Sequence, residues 1–98
     1  MNFNPFSKKQ EAAKPADSTV TIVIHVTDGA EISAVDKVYS LDEYEKSLEN
    51  CRKIVKKIYD DIEKGKSIIN AWNGLLLFKA EDFKRAVVTG VKNFKQNE

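Results

Sequence analysis

The sequence predicts an α+β fold, in which an antiparallel sheet of four or five strands carries one long amphipathic helix across one face. Apolar and polar side chains alternate with a period of two over residues 19–27, which is typical of a strand with one solvent-exposed face. Residues 41–64 carry apolar side chains at spacings of three and four, which indicates the helix. Asn73-Gly74 stands between two apolar runs and signals a β-hairpin. The predicted order is β-β-α-β-β-β or β-β-α-β-β-α.

The first strand is followed by a tight turn. A three-residue loop over residues 28–30 sets Ile24 opposite Ala34, which keeps apolar side chains opposite apolar ones. The second strand is therefore predicted over residues 31–38, where the alternation is weaker.

A capping box marks the start of the helix, because Ser40 is followed three residues later by Glu43. Gly65 supplies the left-handed stop. A helix of this length spans roughly 35 Å, whereas a strand of five or six residues spans about 17–20 Å. The apolar stripe continues to Ile62, so we expect the end of the helix to overhang the sheet and to expose apolar surface unless a second chain covers it.

The hairpin signal also fixes a register for residues 68–79. A two-residue turn at Asn73-Gly74 divides the apolar side chains of the two strands between both faces of the hairpin. If the long helix covers one face, the other is a candidate contact surface. Its register pairs Trp72 with Leu75, Asn70 with Leu77 and Ile68 with Lys79, and its candidate contact residues are Ile68, Trp72, Leu75 and Leu77.

The segment after the hairpin fits two periods. Residues 83–94 fit a helical stripe, while residues 85–89 fit a strand, which the following Gly90 favours. Residues 80–83 resemble a single helical turn that would carry Phe83 into the core. A C-terminal helix would instead pack on the outer face of the hairpin and close the core internally.

Length and composition indicate one domain over residues 18–93. Residues 1–17 are predicted to be a flexible tail because they contain few large apolar side chains, and residues 94–98 are predicted to fray. The net charge of +1 provides no global attraction to nucleic acid or to a membrane surface. One cysteine and the absence of a leader-like apolar run favour a cytoplasmic protein that does not enter a membrane.

The sequence carries no recognisable catalytic, metal or cofactor signature. His25 is interpreted as a solvated strand histidine, and Cys51 lies on the apolar stripe of the helix as a core thiol. The four glycines stand apart, so no glycine-rich phosphate loop exists. We therefore expect a protein that is not an enzyme and binds no cofactor or metal.

The leading hypothesis is a non-catalytic interaction module that binds a second copy of itself or another protein. The alternative is an accessory nucleic-acid-binding protein. Bases outnumber acids after residue 63, and Lys79, Lys84 and Arg85 would form a basic patch beside Trp72.

Overall fold

The computed structural model of the protein describes residues 18–94. The predicted α+β class and the order β-β-α-β-β-β are confirmed. The predicted tail, and residues 95–98 of the predicted frayed end, lie outside the described residues. The elements are β1 (Ser18–Val26), β2 (Glu31–Val38), α1 (Leu41–Glu63), β3 (Ile68–Ala71), β4 (Leu76–Lys79) and β5 (Phe83–Val91).

The five strands are divided between two sheets. One is an antiparallel sheet in the order β2-β1-β5, so the first strand is central and the last strand returns to pair with it. The other is the β3–β4 hairpin, whose second strand lies beside β2 without forming a ladder with it. Helix α1 contacts all three strands of the larger sheet and also β3.

The core lies between β1, the helix and the inner face of the hairpin. Val20, Ile22 and Ile24 on one face of β1 are completely buried. Full burial of side chains of this size stabilises the fold by roughly 1.5–3 kcal/mol each. The helix and the hairpin add buried apolar side chains, among them Cys51, Ile58, Ile69, Leu76 and Phe78.

The predicted register of β1 with β2 was wrong by two residues. The structure pairs Ile24 with Ile32 rather than with Ala34. The loop occupies Thr27–Gly29, and the Val26 N–H donates to the Ala30 carbonyl at 3.1 Å. A two-residue shift keeps every side chain on its own face, so apolar pairing alone could not discriminate between the two registers.

The hairpin register is confirmed. Asn73 and Gly74 have φ of 54° and 88°, the left-handed values that a type I′ turn requires at its two central residues. The Leu75 N–H donates to the Trp72 carbonyl at 3.0 Å. Trp72 also adopts a left-handed φ of 55°, which the sequence did not predict and which is uncommon for a bulky side chain.

The helix begins as predicted. Ser40 caps it by accepting from the Glu43 N–H at 3.1 Å, and the Glu43 carboxylate accepts from the Tyr39 N–H at 2.8 Å. The expectation of an exposed apolar overhang was wrong. Ile58 is fully buried and Ile62 is half-buried, because the helix packs against the hairpin as well as against the larger sheet.

The C-terminal segment is a strand, so the alternative of a C-terminal helix is wrong. Its pairing with β1 moves from His25–Arg85 to Val26–Phe83, which makes Lys84 the extra residue of a β-bulge. The bulge reverses the alternation of β5 and turns Phe83 towards the core. There its ring stacks on Phe78 at 5.7 Å and meets Tyr59 edge-on at 5.2 Å.

Gly90 leaves room for a tyrosine of the helix to pack closely on β5. A β-carbon at this position would overlap the hydroxyl of Tyr44 and lie 2.8 Å from its Cζ atom. Tyr44 is itself buried against the core and packs edge-on against Phe94 at 6.1 Å. Neither ring can move aside without losing this packing.

We predict that Gly90→Ala lowers the free energy of unfolding by about 1–3 kcal/mol, because it overpacks this contact. Urea denaturation followed by circular dichroism measures the loss. Tyr44→Phe removes the nearest atom and should recover part of the loss in the double variant. An unchanged denaturation midpoint for Gly90→Ala would contradict the packing described.

Candidate functional site

The outer face of the hairpin carries aliphatic side chains in solvent. Ile68, Leu75 and Leu77 are 54%, 58% and 55% exposed, whereas Ile69 and Leu76 on the inner face are buried. The pleat causes this contrast, because successive side chains of a strand point to opposite faces. We call Ile68, Asn70, Leu75, Leu77 and Lys79 the hairpin surface, and all five are exposed.

Trp72 departs from the predicted contact face. It pairs with Leu75 in the turn, yet its side chain is half-buried and packs against the core. Its left-handed backbone takes it out of the regular alternation of the strand. Three of the four predicted contact residues therefore lie together in solvent, and the fourth helps to anchor the hairpin tip.

Charged side chains border one end of the hairpin surface. Lys79 pairs with Ile68, and Glu81 follows in the short turn Ala80–Asp82. Ser67, Ile68, Lys79 and Glu81 line a shallow depression of about 300 Å³. Sequence reasoning did not assign Glu81 to this site, although its position two residues after Lys79 was a usable signal.

No element within residues 18–94 covers the hairpin surface. The segment that might have covered it, β5, pairs with β1 in the other sheet. The helix lies on the opposite side of the hairpin, where Ile69 and Leu76 are buried. The described part of the chain therefore presents an aliphatic patch with a positive and a negative charge at its border.

The three bases of the predicted nucleic-acid patch are exposed but differ in placement. Lys79 lies on the hairpin, Lys84 is the bulge residue of β5, and Arg85 is paired with His25 in the larger sheet. Glu81 and the half-buried Asp82 lie between Lys79 and Lys84 in the chain.

Trp72 lies at the far end of the hairpin from Lys79. Four residue steps separate the Ile68–Lys79 pair from Trp72, a distance of roughly 13 Å along an extended strand. The structure therefore does not place the indole ring directly beside this lysine.

The remaining chemically active side chains have structural contacts. The His25 Nδ1 atom lies 3.5 Å from the Glu31 carboxylate. The Ser47 hydroxyl donates to the Asp36 carboxylate at 2.6 Å. Within residues 18–94, no group of three His, Cys, Asp or Glu side chains is arranged to hold a metal ion.

Cys51 is completely buried next to this polar pair. Burial raises the pKa of the thiol, and the Asp36 carboxylate raises this pKa further, while a hydrogen bond with Ser47 lowers it. The thiol therefore stays protonated and inaccessible at neutral pH, which is the opposite of what a nucleophile requires.

None of the helices in the described part of the chain is long and apolar enough to cross a membrane. The chain matches no protein-family model, no curated protein and no solved structure.

We predict that a thiol reagent modifies Cys51 on the order of 100-fold more slowly in the folded protein than in urea, because modification requires the core to open. Absorbance of the released thiolate reports the rate. Equal rates in the two conditions would mean that the thiol is accessible in the fold.

The raised pKa of Cys51 also predicts a pH dependence. Its contribution to stability is complete below the unfolded pKa of about 8.5 and is lost as pH rises through the higher folded pKa. The free energy of unfolding should therefore fall with rising alkaline pH. In Cys51→Ala this component of the slope should disappear, and an unchanged slope would assign the effect to other groups.

Proposed function

We propose that the protein is a small, non-catalytic cytoplasmic interaction module that self-associates through the hairpin surface. The observation that supports this proposal is the exposure of Ile68, Leu75 and Leu77 on one side of a hairpin whose other side is buried. Clustered aliphatic side chains bordered by charge are typical of contact surfaces.

The border charges favour a second copy as the partner. In a two-fold contact, the same surface is used by both copies, so Lys79 of one copy can approach Glu81 of the other. The aliphatic side chains then pack on each other in the centre. Opposite charges at the rim steer such an encounter and fix its orientation more than they add affinity.

The small size of the hairpin surface indicates how tightly two copies should associate. A standard stable interface uses roughly 20–30 residues a side, whereas the hairpin surface is defined by five. The aliphatic group is therefore the centre of a contact that recruits neighbouring polar residues, and we expect weak, reversible association rather than an obligate dimer.

Leu77→Ser tests the proposal. It removes an exposed leucine without disturbing the buried face. A two-fold contact loses two leucines that are each 55% exposed before association, so the lost burial sums to roughly 1.5–3 kcal/mol, and we expect the dissociation constant to rise about 10- to 100-fold. Light scattering over a tenfold range of protein concentration measures the solution mass of wild type and variant.

Leu41→Ser is the matched control, since Leu41 is 51% exposed at the start of the helix and lies away from the hairpin surface. It should leave self-association unchanged. If wild type is monomeric throughout, or if both leucine variants weaken association equally, the hairpin surface is not the self-association site.

Nucleic-acid binding remains the alternative proposal, supported by the exposure of Lys79, Lys84 and Arg85. It predicts that a fluorescent single-stranded oligonucleotide binds with an affinity that falls steeply with salt. Reversing both charges, in Lys84→Glu combined with Arg85→Glu, should abolish such binding and leave the solution mass unchanged. Anisotropy that does not change at low salt would eliminate this function.

A further inference from the structure

The outer edge of β5 is open in the described part of the chain. The strand is nine residues long and pairs only with β1, while β2 at the opposite edge of the sheet lies beside β4. An unpaired edge presents a row of backbone donors and acceptors that a further strand can join.

Two hydrogen bonds identify which residues point outward. The Val26 N–H donates to Ala30, so the even-numbered residues of β1 bond towards β2, and the odd-numbered ones bond towards β5. The backbone groups of Ala86, Val88 and Gly90 therefore point away from the sheet. Consistent with this, the Ala86 N–H faces outward and donates to the Tyr59 hydroxyl at 3.5 Å.

Beyond Arg85, this edge lacks the features of sequence that usually discourage strand addition. Proline, charged side chains and bulges discourage edge pairing. The bulge and the charges of Lys84 and Arg85 occur only at the start of β5. Residues 86–91 contain neither charge nor proline and consist mainly of β-branched side chains.

We propose that β5 pairs antiparallel with β5 of a second copy, in a register centred on Val87, and so joins two sheets into one of six strands. Val87 is the midpoint of Phe83–Val91, so this register gives the strand its longest overlap with its partner. A two-fold axis perpendicular to the sheet relates the copies and leaves both helices on the same side.

Electrostatic repulsion favours the register centred on Val87 over the one centred on Val88. Centring on Val87 sets Lys84 opposite Gly90 of the second copy. Centring on Val88 would instead set Lys84 opposite Lys92, and like charges directly opposite each other are destabilising. The register centred on Val87 therefore avoids this repulsion.

The rearrangement needed at the edge is small. In the Val87-centred register the Ala86 N–H donates to the Val88 carbonyl of the second copy. It gives up only the long contact with Tyr59, whose side chain is 45% exposed and can bond to water instead.

A single introduced cysteine tests the contact directly. In this register the two Val87 residues form a non-hydrogen-bonded pair with Cα atoms about 4.5 Å apart, within the range that a disulfide spans. We expect purified Val87→Cys to form a disulfide-linked dimer under mild oxidation, seen on a non-reducing gel. Native Cys51 is buried and does not compete.

Two cysteine controls fix the register. Thr89→Cys places its thiols about 13 Å apart along the strands, beyond disulfide reach, and should stay monomeric. Val35→Cys lies on the same open face of the sheet, on β2, and should also stay monomeric. Cross-linking of Thr89→Cys in preference to Val87→Cys, or of none of the three, would overturn the proposal.

A second experiment without a disulfide tests whether oxidation merely captured copies that collide transiently. Val87→Lys brings two like charges together at the two-fold axis and should shift the solution mass in light scattering towards the monomer, whereas Val35→Lys should not. Circular dichroism confirms that both variants are folded. Equal masses for the two would contradict pairing at β5.

The β5 contact and the hairpin surface can be tested independently. If Leu77→Ser leaves the cross-linking of Val87→Cys unchanged, the two contacts are separate, as proposed. If Leu77→Ser abolishes that cross-link, the proximity of the strands arises from the hairpin contact, and the β5 proposal fails while the hairpin proposal stands.

Discussion

The burial of one face of β1 beneath α1 is the constraint on which the rest of the structure depends. Val20, Ile22 and Ile24 are excluded from solvent, and the backbone of β1 is paired on both sides. A strand enclosed in this way satisfies its own hydrogen bonds only if both β2 and β5 join it. The chain must therefore return from the hairpin to the first strand, which arranges the whole domain around β1.

This arrangement determines which surfaces remain open. Within residues 18–94, a single helix covers one face of the larger sheet and also the inner face of the hairpin, so each sheet keeps an uncovered side in this part of the chain. A small domain buries a smaller fraction of its surface than a large one, and apolar side chains in solvent are the expected consequence. The hairpin surface and the edge of β5 are the places where this shortage of covering elements is concentrated.

The polar side chains stabilise the junctions between elements. Asp61, on the buried side of the helix end, lies 3.3 Å from the Lys57 ammonium and 3.7 Å from that of Lys66 just before the hairpin. Ser47 joins the helix to Asp36 on β2. The i, i+4 spacing along the helix predicts the ion pair of Asp61 with Lys57. The ion pair with Lys66 forms because the chain turns at Gly65.

Elements whose signals are local could be predicted from the order of the residues alone. The Ser40 cap, the Asn73-Gly74 turn and the alternation of β1 each depend on interactions within a few residues, and all are present as predicted. The exposed positions of Ile68, Leu75 and Leu77 followed from the hairpin register and the burial of the other face.

Three features depend on contacts between segments that are distant in the chain, and these features could not be predicted from local signals. Packing against the helix and the hairpin, rather than neighbouring residues, determines the β1–β2 register, the bulge at Lys84 and the inward orientation of Trp72. The division into two sheets also depends on distant contacts, because β5 pairs with β1 and not with the hairpin. Period-two alternation determines on which face of the sheet a side chain lies. It does not determine which strand lies beside it or in which register, because these depend on how the core packs.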